Sequence, residues 1–397
     1  MNIGIYGGTF DPPHRGHIAA AKAAMSALHL DRLLLIPDAV PPHKALPEGS
    51  PTAQQRCDMA VLATAELGRQ AEASDMELRR AGVSYTADTL AQLRRQYPED
   101  ELYLLMGTDM FLSLQSWRQP ERIAALAHIA PFRREREDDP AAFAAQKERL
   151  ERDYGASVTV VPNPDVVDIS STEVRAALAQ GGGEDILPPA VWGYICRERL
   201  YGTHTDLKHL TPDELRPVAL SYLKPKRMPH VLGTEQEAVR LAERYGADVT
   251  KARVAALLHD CTKKLDMAEQ LALCERYRIP LDELERKALK LLHSKTGAAI
   301  ARDVFAVDDE VYNAILYHTT GKPDMTLLEK IIYLADYIEP TRDFPGVEEL
   351  RRTVYEDLDR GLLLGLTMTI QEMEELGNPV HHMTRDARDY LMKRGIS

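Results

Sequence analysis

Cysteine is scarce in this sequence of 397 residues: Cys57, Cys196, Cys261 and Cys274 are the four present, and none forms a CxxC pair. Their spacing excludes a redox dithiol motif, gives no sign of thiol chemistry and fits a reduced, cytoplasmic setting. Positive charge is also in deficit, with 49 Lys and Arg against 61 Asp and Glu, a net charge of −12. No global attraction draws such a chain to nucleic acid or to an anionic membrane, so neither is expected as a partner, while local basic sites for nucleotides stay open. Long apolar runs are missing, and the most apolar late stretch, residues 361–370, is too short to span a bilayer. No basic segment followed by an apolar run opens the sequence, so no secretion leader is expected. Neither a Gly/Ser-rich linker nor an internal repeat is evident.

What is present reads as ordinary globular protein, with 44% hydrophobic and 28% charged residues. The length suits two or three domains with their own cores. The first half alternates strand-like runs (2–6, 32–36, 102–106, 157–161) with helical patterns (53–67, 86–96), which predicts a parallel sheet flanked by helices. After about residue 211 the pattern turns almost wholly helical, with runs at 234–245, 249–259, 310–317, 326–338 and 347–376. Gly202-Thr203-His204-Thr205 breaks the pattern, placing the domains at 1–203 and 204–397. The charge-rich run 133–139 is expected to be a solvated loop.

One segment dominates the first half: Gly7-Gly8-Thr9-Phe10-Asp11-Pro12-Pro13-His14-Arg15-Gly16-His17. A strand ends there in a Gly turn and a helix begins beside two histidines. Small residues let backbone approach an anion, and a helix N-terminus offers unpaired N–H groups. His14 and His17 add donors where phosphate charge builds in a transition state. In parallel sheets ligands bind beyond the C-terminal strand ends, where this segment lies. At the same edge fall Pro41-Pro42-His43-Lys44, Ser84-Tyr85-Thr86 and Gly107-Thr108-Asp109. Ile169-Ser170-Ser171-Thr172-Glu173-Val174-Arg175 sets hydroxyls before a helix, with a cation in its first turn. Ser171 or Thr172 alone reads equally well as a helix cap; Arg175 adds a phosphate partner.

The second half holds a different cluster: His230, His259-Asp260, His293, His318 and Asp336, each on or at the end of a helical run. A lone histidine is more often a satisfied core residue. Here His259-Asp260 closes the apolar run 254–258, where unpaired charge is costly. Asp336 shares a helical stripe with Ile332 and Leu328, and a buried carboxylate needs a cation or several donors. A metal is the economical partner. His381-His382 lies beyond this cluster and reads as structural or solvent-exposed.

The first-half segments, with SYTADTL (84–90) and GTDMFLSLQSW (107–117), resemble the HxGH nucleotidyltransferases and, within them, bacterial nicotinate-nucleotide adenylyltransferases over about residues 1–201. The resemblance implies a Rossmann-like α/β domain and adenylyl transfer from ATP to nicotinate mononucleotide. It gives His14 and His17 catalytic roles. It assigns Gly8, Thr9, Lys44, Ser171, Thr172 and Arg175 to the nucleotide and its phosphates, and Tyr85, Thr86, Asp109 and Trp117 to the second substrate. Mg²⁺ would arrive with the triphosphate. One departure stands out: where relatives carry an Arg-Pro-Gly-like turn, this chain reads Ala130-Pro131-Phe132-Arg133-Arg134-Glu135.

RMPH (227–230), LLHDCTKK (257–264), LLHSKTGA (291–298), YHTTGKPDM (317–325) and LADYIEPTRD (334–343) resemble the HD-domain phosphohydrolases, and among them the symmetrical diadenosine-tetraphosphate hydrolases, over about residues 209–397. The resemblance implies an all-α domain. It makes His230, His259, Asp260, His293, His318 and Asp336 ligands of two divalent metals, iron or alternatively manganese, with Asp260 bridging and catalytic. Arg227, Lys263, Thr320 and Arg342 would hold polyphosphate, and diadenosine tetraphosphate would yield two ADP. An alarmone or deoxynucleotide substrate, or a nucleotide-sensing role without catalysis, stays open for this half. A homo-oligomer is compatible with both resemblances.

Overall fold

The computed structural model describes residues 1–41, 45–80, 82–133, 139–162, 167 and 169–396. The chain divides into two compact units, Met1–His204 and Thr205–Ser397.

The first unit is built on a parallel sheet of six strands: β1 (Asn2–Gly8), β2 (Arg32–Pro37), β3 (Ala71–Ala73), β4 (Glu101–Met106), β5 (His128–Arg133) and β6 (Val161–Pro162). Continuous apolar runs make the central strands, because helices cover both faces of the sheet. Leu33, Leu34, Leu35 and Ile36 of β2 are all buried, as are Ile3 and Ile5 of β1. The strand order is β3-β2-β1-β4-β5-β6. The chain thus winds outward from β1 in one direction and then from β4 in the other. The crevice where that direction reverses is the ligand position of such folds. β1 ends there in Gly7 and Gly8, and β4 in Met106. This is the Rossmann-like α/β arrangement the alternation predicts.

Two elements differ from the sequence reading. The strand expected at 157–161 survives only as an Ile129–Val158 bridge and the first residue of β6. Pro162 has no N–H to continue the ladder. Residues 64–66, expected to extend a helix, form a 3₁₀ turn after the helix Ala53–Ala63.

The second unit contains only helices among its described elements. Met228–Tyr245 packs against Val249–Leu258 and Leu327–Ile338, and Leu289–Phe305 against Asp309–Tyr317. Their shared core includes Ala255, Ala256, Leu258, Ile331, Ile332 and Ala335, all without exposed surface. The run expected at 347–376 is two helices, Val347–Glu356 and Leu358–Glu375. Asp357 is extended (φ −152°, ψ 116°), and its carboxylate accepts the N–H groups of Asp359 and Arg360, capping the second helix. Helices at Met267–Arg276, Leu289–Phe305 and His382–Lys393 lie outside the expected runs. Among the described residues, no helix is long and apolar enough to cross a membrane.

Candidate active sites

In the first unit, the Gly turn after β1 hands the chain to the helix Arg15–Ala27, with His14 extended at its N-cap. The backbone N–H of His14 donates to His17 Nδ1 at 3.2 Å. Nδ1 is therefore the acceptor, and the neutral ring carries its proton on Nε2, where it can be donated to an anion. The two imidazoles lie 3.8 Å apart, centroid to centroid, with His14 buried and His17 half-buried. Gly16 leaves the two rings room. A Cβ there would lie 3.0 Å from the His14 ring and 3.1 Å from the Val167 carbonyl.

The turn is anchored from below. Buried Arg56 donates to the Thr9 carbonyl at 2.7 Å and to Asp38 Oδ1 at 2.8 Å, while Thr9 Oγ1 donates to Asp38 Oδ2 at 3.0 Å. Arg175 reaches the same loop, donating to the Asp11 carbonyl at 2.7 Å and to Thr172 Oγ1 at 3.1 Å. The helix cap is Ser170, which exchanges hydrogen bonds with Glu173. Ser171 and Thr172 are thereby relieved of the capping role they could have filled.

Beside the turn opens a cavity of about 320 Å³, lined by Gly8, Thr9, Thr86, Trp117, Gly107, Asp38 and Glu77, among others. Burial raises the Glu77 carboxyl above its usual range, outweighing the hydrogen bond from Thr89. Tyr85 is the N-cap residue of the helix Thr86–Gln96, its ring 4.4 Å from the Arg118 guanidinium. Asp109 is exposed in the first turn of the helix Thr108–Ser113 and does not line the cavity. Lys44, and residues 134–138 of the charged run, lie outside the described residues.

In the second unit, four histidines and two aspartates converge. Three overlapping groups (His230, His259, Asp260; His259, His318, Asp336; Asp260, His293, His318) each bring ligand atoms within 4.8 Å of one another. His259 and His318 are the C-cap residues of Val249–Leu258 and Asp309–Tyr317, so two helix ends aim imidazoles at one point. The Nδ1 atoms of His259, His293 and His318 lie 2.6, 2.8 and 2.7 Å from the carbonyls of Ala256, Lys290 and Ile315. A carbonyl only accepts, so each Nδ1 carries the proton and each Nε2 presents a lone pair. Burial holds all three imidazoles neutral, lowering His293 and His318 to about 4. Yet His293 Nε2 and His318 Nε2 face each other at 3.1 Å. Two lone pairs at that distance repel, and Lys263 Nζ, 2.9 Å from His293 Nε2, and the Thr319 hydroxyl, 3.2 Å from His318 Nε2, lie against them.

The carboxylates point the same way. Burial alone would raise Asp260 and Asp336, yet both lie well below the usual range, held there by Lys263 beside Asp260 and by His230 and Arg342 beside Asp336. Asp260 Oδ1 has no hydrogen-bond donor among the described residues, although it lies 3.3 Å from His293 Nε2. His230 Nε2 stands 3.0 Å from Asp336 Oδ1, and its Nδ1 is 2.9 Å from Glu339 Oε1. Burial would lower His230, but Asp336 and Glu339 raise it. Neutral imidazole nitrogens, ionised carboxylates and an orphaned buried oxygen fit a divalent cation.

Cations ring this centre. Arg227 donates to Asp260 Oδ2 at 2.5 Å, Arg342 to Asp336 Oδ1 at 2.6 Å, and Lys263 Nζ lies 2.9 Å from His293 Nε2. Thr320 is placed elsewhere, its hydroxyl donating to the Gly321 carbonyl; the threonine facing the cluster is Thr319, 3.2 Å from His318 Nε2. Thr319 and Glu339 sit inside motif segments but escaped the sequence reading, because neither carries a spacing signal of its own. His381 is buried at the N-cap of the helix His382–Lys393, while His382 is exposed.

Residues 5–177 match the cytidylyltransferase-like family model and residues 227–341 the HD domain model. The first half is 40% identical to a probable nicotinate-nucleotide adenylyltransferase of Shewanella sp. (strain ANA-3), covering 51% of this chain and 99% of that protein. The second is 40% identical to a symmetrical bis(5'-nucleosyl)-tetraphosphatase of Bacillus subtilis (strain 168), covering 40% of this chain and 85% of that one. A crystal structure of an HD superfamily hydrolase from Clostridium acetobutylicum shares 43% identity over 47% of this chain and 98% of its own, with a TM-score of 0.45. With the HxGH turn at the sheet's switch point and the H…HD…H…H…D cluster in the helical unit, the chain belongs to the nicotinate-nucleotide adenylyltransferase family over its first half and to the HD-domain family of symmetrical bis(5'-nucleosyl)-tetraphosphatases over its second.

Proposed function

We propose that the chain is a bifunctional enzyme: the first unit transfers the adenylyl group of ATP to nicotinate mononucleotide, and the second splits diadenosine tetraphosphate symmetrically into two ADP. In the first reaction the mononucleotide phosphate attacks the α-phosphorus of ATP in line and pyrophosphate leaves. No covalent intermediate with the protein is needed, so the site acts by positioning and charge stabilisation. The observation that carries this reading is the His14 N–H bond to His17 Nδ1, which leaves Nε2–H as a preset phosphate donor at a helix N-terminus. Arg175, Ser171 and Thr172 would hold the phosphate chain, and Gly8 and Thr9 would line the nucleotide. Thr86 and Trp117 in the cavity, with Tyr85, would face the pyridine half.

In the second reaction the carrying observation is the convergence of four imidazoles and two carboxylates around an Asp260 oxygen that has no hydrogen-bond donor among the described residues. Two divalent ions there would supply an activated water and stabilise charge on the phosphates. His230, His259, His293, His318, Asp260 and Asp336 would hold them, with Asp260 central: its Oδ1 faces His293 and His318, and its Oδ2 faces His259 at 3.6 Å and His230 at 3.9 Å. Arg227, Arg342 and Lys263 would draw in the polyphosphate and hold it against the cluster.

The test is an assay of the purified chain with iron or manganese against two panels. Pyrophosphate release is measured from ATP with nicotinate mononucleotide, nicotinamide mononucleotide or phosphopantetheine. Activity with the first is expected; activity with phosphopantetheine alone overturns the reading. Hydrolysis is measured on diadenosine tetraphosphate, a guanosine-tetraphosphate alarmone and deoxynucleoside triphosphates. Cleavage that spares the first overturns the substrate assignment, and a domain without metal or activity makes it a sensor.

A further inference from the structure

The last turn of the first unit reaches back into the loop that precedes His14. After the helix Pro189–Glu198 the chain makes a short 3₁₀ turn, Leu200–Gly202. Within four residues Arg199 (φ 53°) and Tyr201 (φ 55°) take left-handed backbone conformations, as does Gly202 (φ 78°). For a residue with a Cβ that conformation is costly, and it persists where surrounding structure demands it. It presents the Tyr201 ring to the loop before His14. The Tyr201 hydroxyl donates to Asp11 Oδ1 at 2.7 Å, across 190 positions of sequence. Burial, with Asp11 beside it, raises the Tyr201 phenol, so it remains a donor at neutral pH.

Asp11 is itself 2% exposed and acts as a hub. Its second oxygen accepts the Ser50 hydroxyl at 3.4 Å and lies 3.6 Å from Arg175 NH1, while its carbonyl accepts that same NH1 at 2.7 Å. Thr172 holds the other end of the guanidinium. The carboxylate therefore divides its two oxygens between Tyr201 on one side and Ser50 with Arg175 on the other. With Tyr201 satisfying Oδ1, the carboxylate stays turned so that Arg175 bonds the backbone carbonyl and keeps charge to offer an anion. Without the phenol, Asp11 would be left short of a donor and would turn onto Arg175 as a full ion pair, drawing the guanidinium inward.

We propose that Tyr201 is a positioning residue for adenylyl transfer, acting through Asp11 to hold Arg175 ready for the phosphates of ATP. The inference rests on the reading of the first unit as an adenylyltransferase. Tyr201→Phe should raise the KM for ATP, and weaken ATP binding measured by calorimetry, by about tenfold, the loss of one hydrogen bond to a charged group. The KM for nicotinate mononucleotide should not move. Asp11→Asn should shift ATP in the same direction. In an Arg175→Ala background the Tyr201→Phe effect should vanish, because the residue through which it acts is gone. An equal penalty in both backgrounds, or equal shifts in the KM of both substrates, overturns the proposal. If the wild-type chain binds ATP but serves another mononucleotide, the assignment of the acceptor fails. The ATP measurements in the four variants then still decide the role of Tyr201.

Discussion

Gly16 shows how a single residue can be a structural condition for the placing of two imidazoles. The space its Cβ would need is filled by the His14 ring and the Val167 carbonyl. Gly16→Ala should displace His14 by a few tenths of an ångström and lower kcat about 10- to 100-fold without unfolding the unit, as steady-state kinetics beside a thermal melt would show. Glu77 makes a prediction about stability. Its carboxyl is raised above 4.5 by burial, so the fold disfavours the ionised form. Such a group contributes fully below pH 4.5, and that contribution is lost as pH rises through its folded value. Glu77→Gln should therefore stabilise the chain at pH 8, and the gain should shrink as pH falls toward 4.5, read from urea midpoints across that window. The residue type and position of Gly16 were legible in the motif. The raised state of Glu77 was not, since it depends on what the sheet packs around it.

At the scale of elements, the helix Met228–Tyr245 and the end of Leu327–Ile338 meet through Gly233. A Cβ on Gly233 would lie 2.5 Å from Glu339 Oε2. Glu339 has no exposed surface, and its carboxylate takes bonds from Thr341 N–H at 2.7 Å and the Thr341 hydroxyl at 2.6 Å, so it cannot swing away. The pair of helices thus presses a carboxylate onto His230 Nδ1, which orients that ring toward the cluster. Gly233→Ala should weaken metal binding about 10- to 100-fold, measured by competition with a chromophoric chelator, while the helical content seen by circular dichroism is kept. Periodicity sets the second of these helices nearly to its ends, but puts His293 on a helical run without bounds, which the structure gives as Leu289–Phe305. That helix is apolar on more than one side because neighbours surround it, so no single stripe marks it.

For the whole molecule, the two sites draw on separate units with separate cores. Disabling one should leave the other working. His17→Ala should lower adenylyl transfer by about 10²–10³ while hydrolysis of diadenosine tetraphosphate stays within about twofold. Asp260→Asn should abolish hydrolysis of diadenosine tetraphosphate and lower the metal content found by elemental analysis, while adenylyl transfer persists. Loss of both activities in either variant would show that the sites are coupled.

The sequence by itself determined the family of each half. The order of the motif segments carried the resemblance to one family in each half, and His259, Asp260 and Asp336 in apolar runs called for partners to buried polar groups. It also determined the layering, because strand and helix periods follow from where apolar side chains recur. Tertiary structure alone decided which atoms do the work. The tautomers of His259, His293 and His318 are set by carbonyls three residues back, once helix ends bring those rings together. Thr319 rather than Thr320 faces the cluster, and Ser170 rather than Ser171 caps its helix, because a rotation of one residue along a turn changes what a side chain can reach. The link from Tyr201 to Asp11 spans nearly the whole first unit, and only a folded chain can make it.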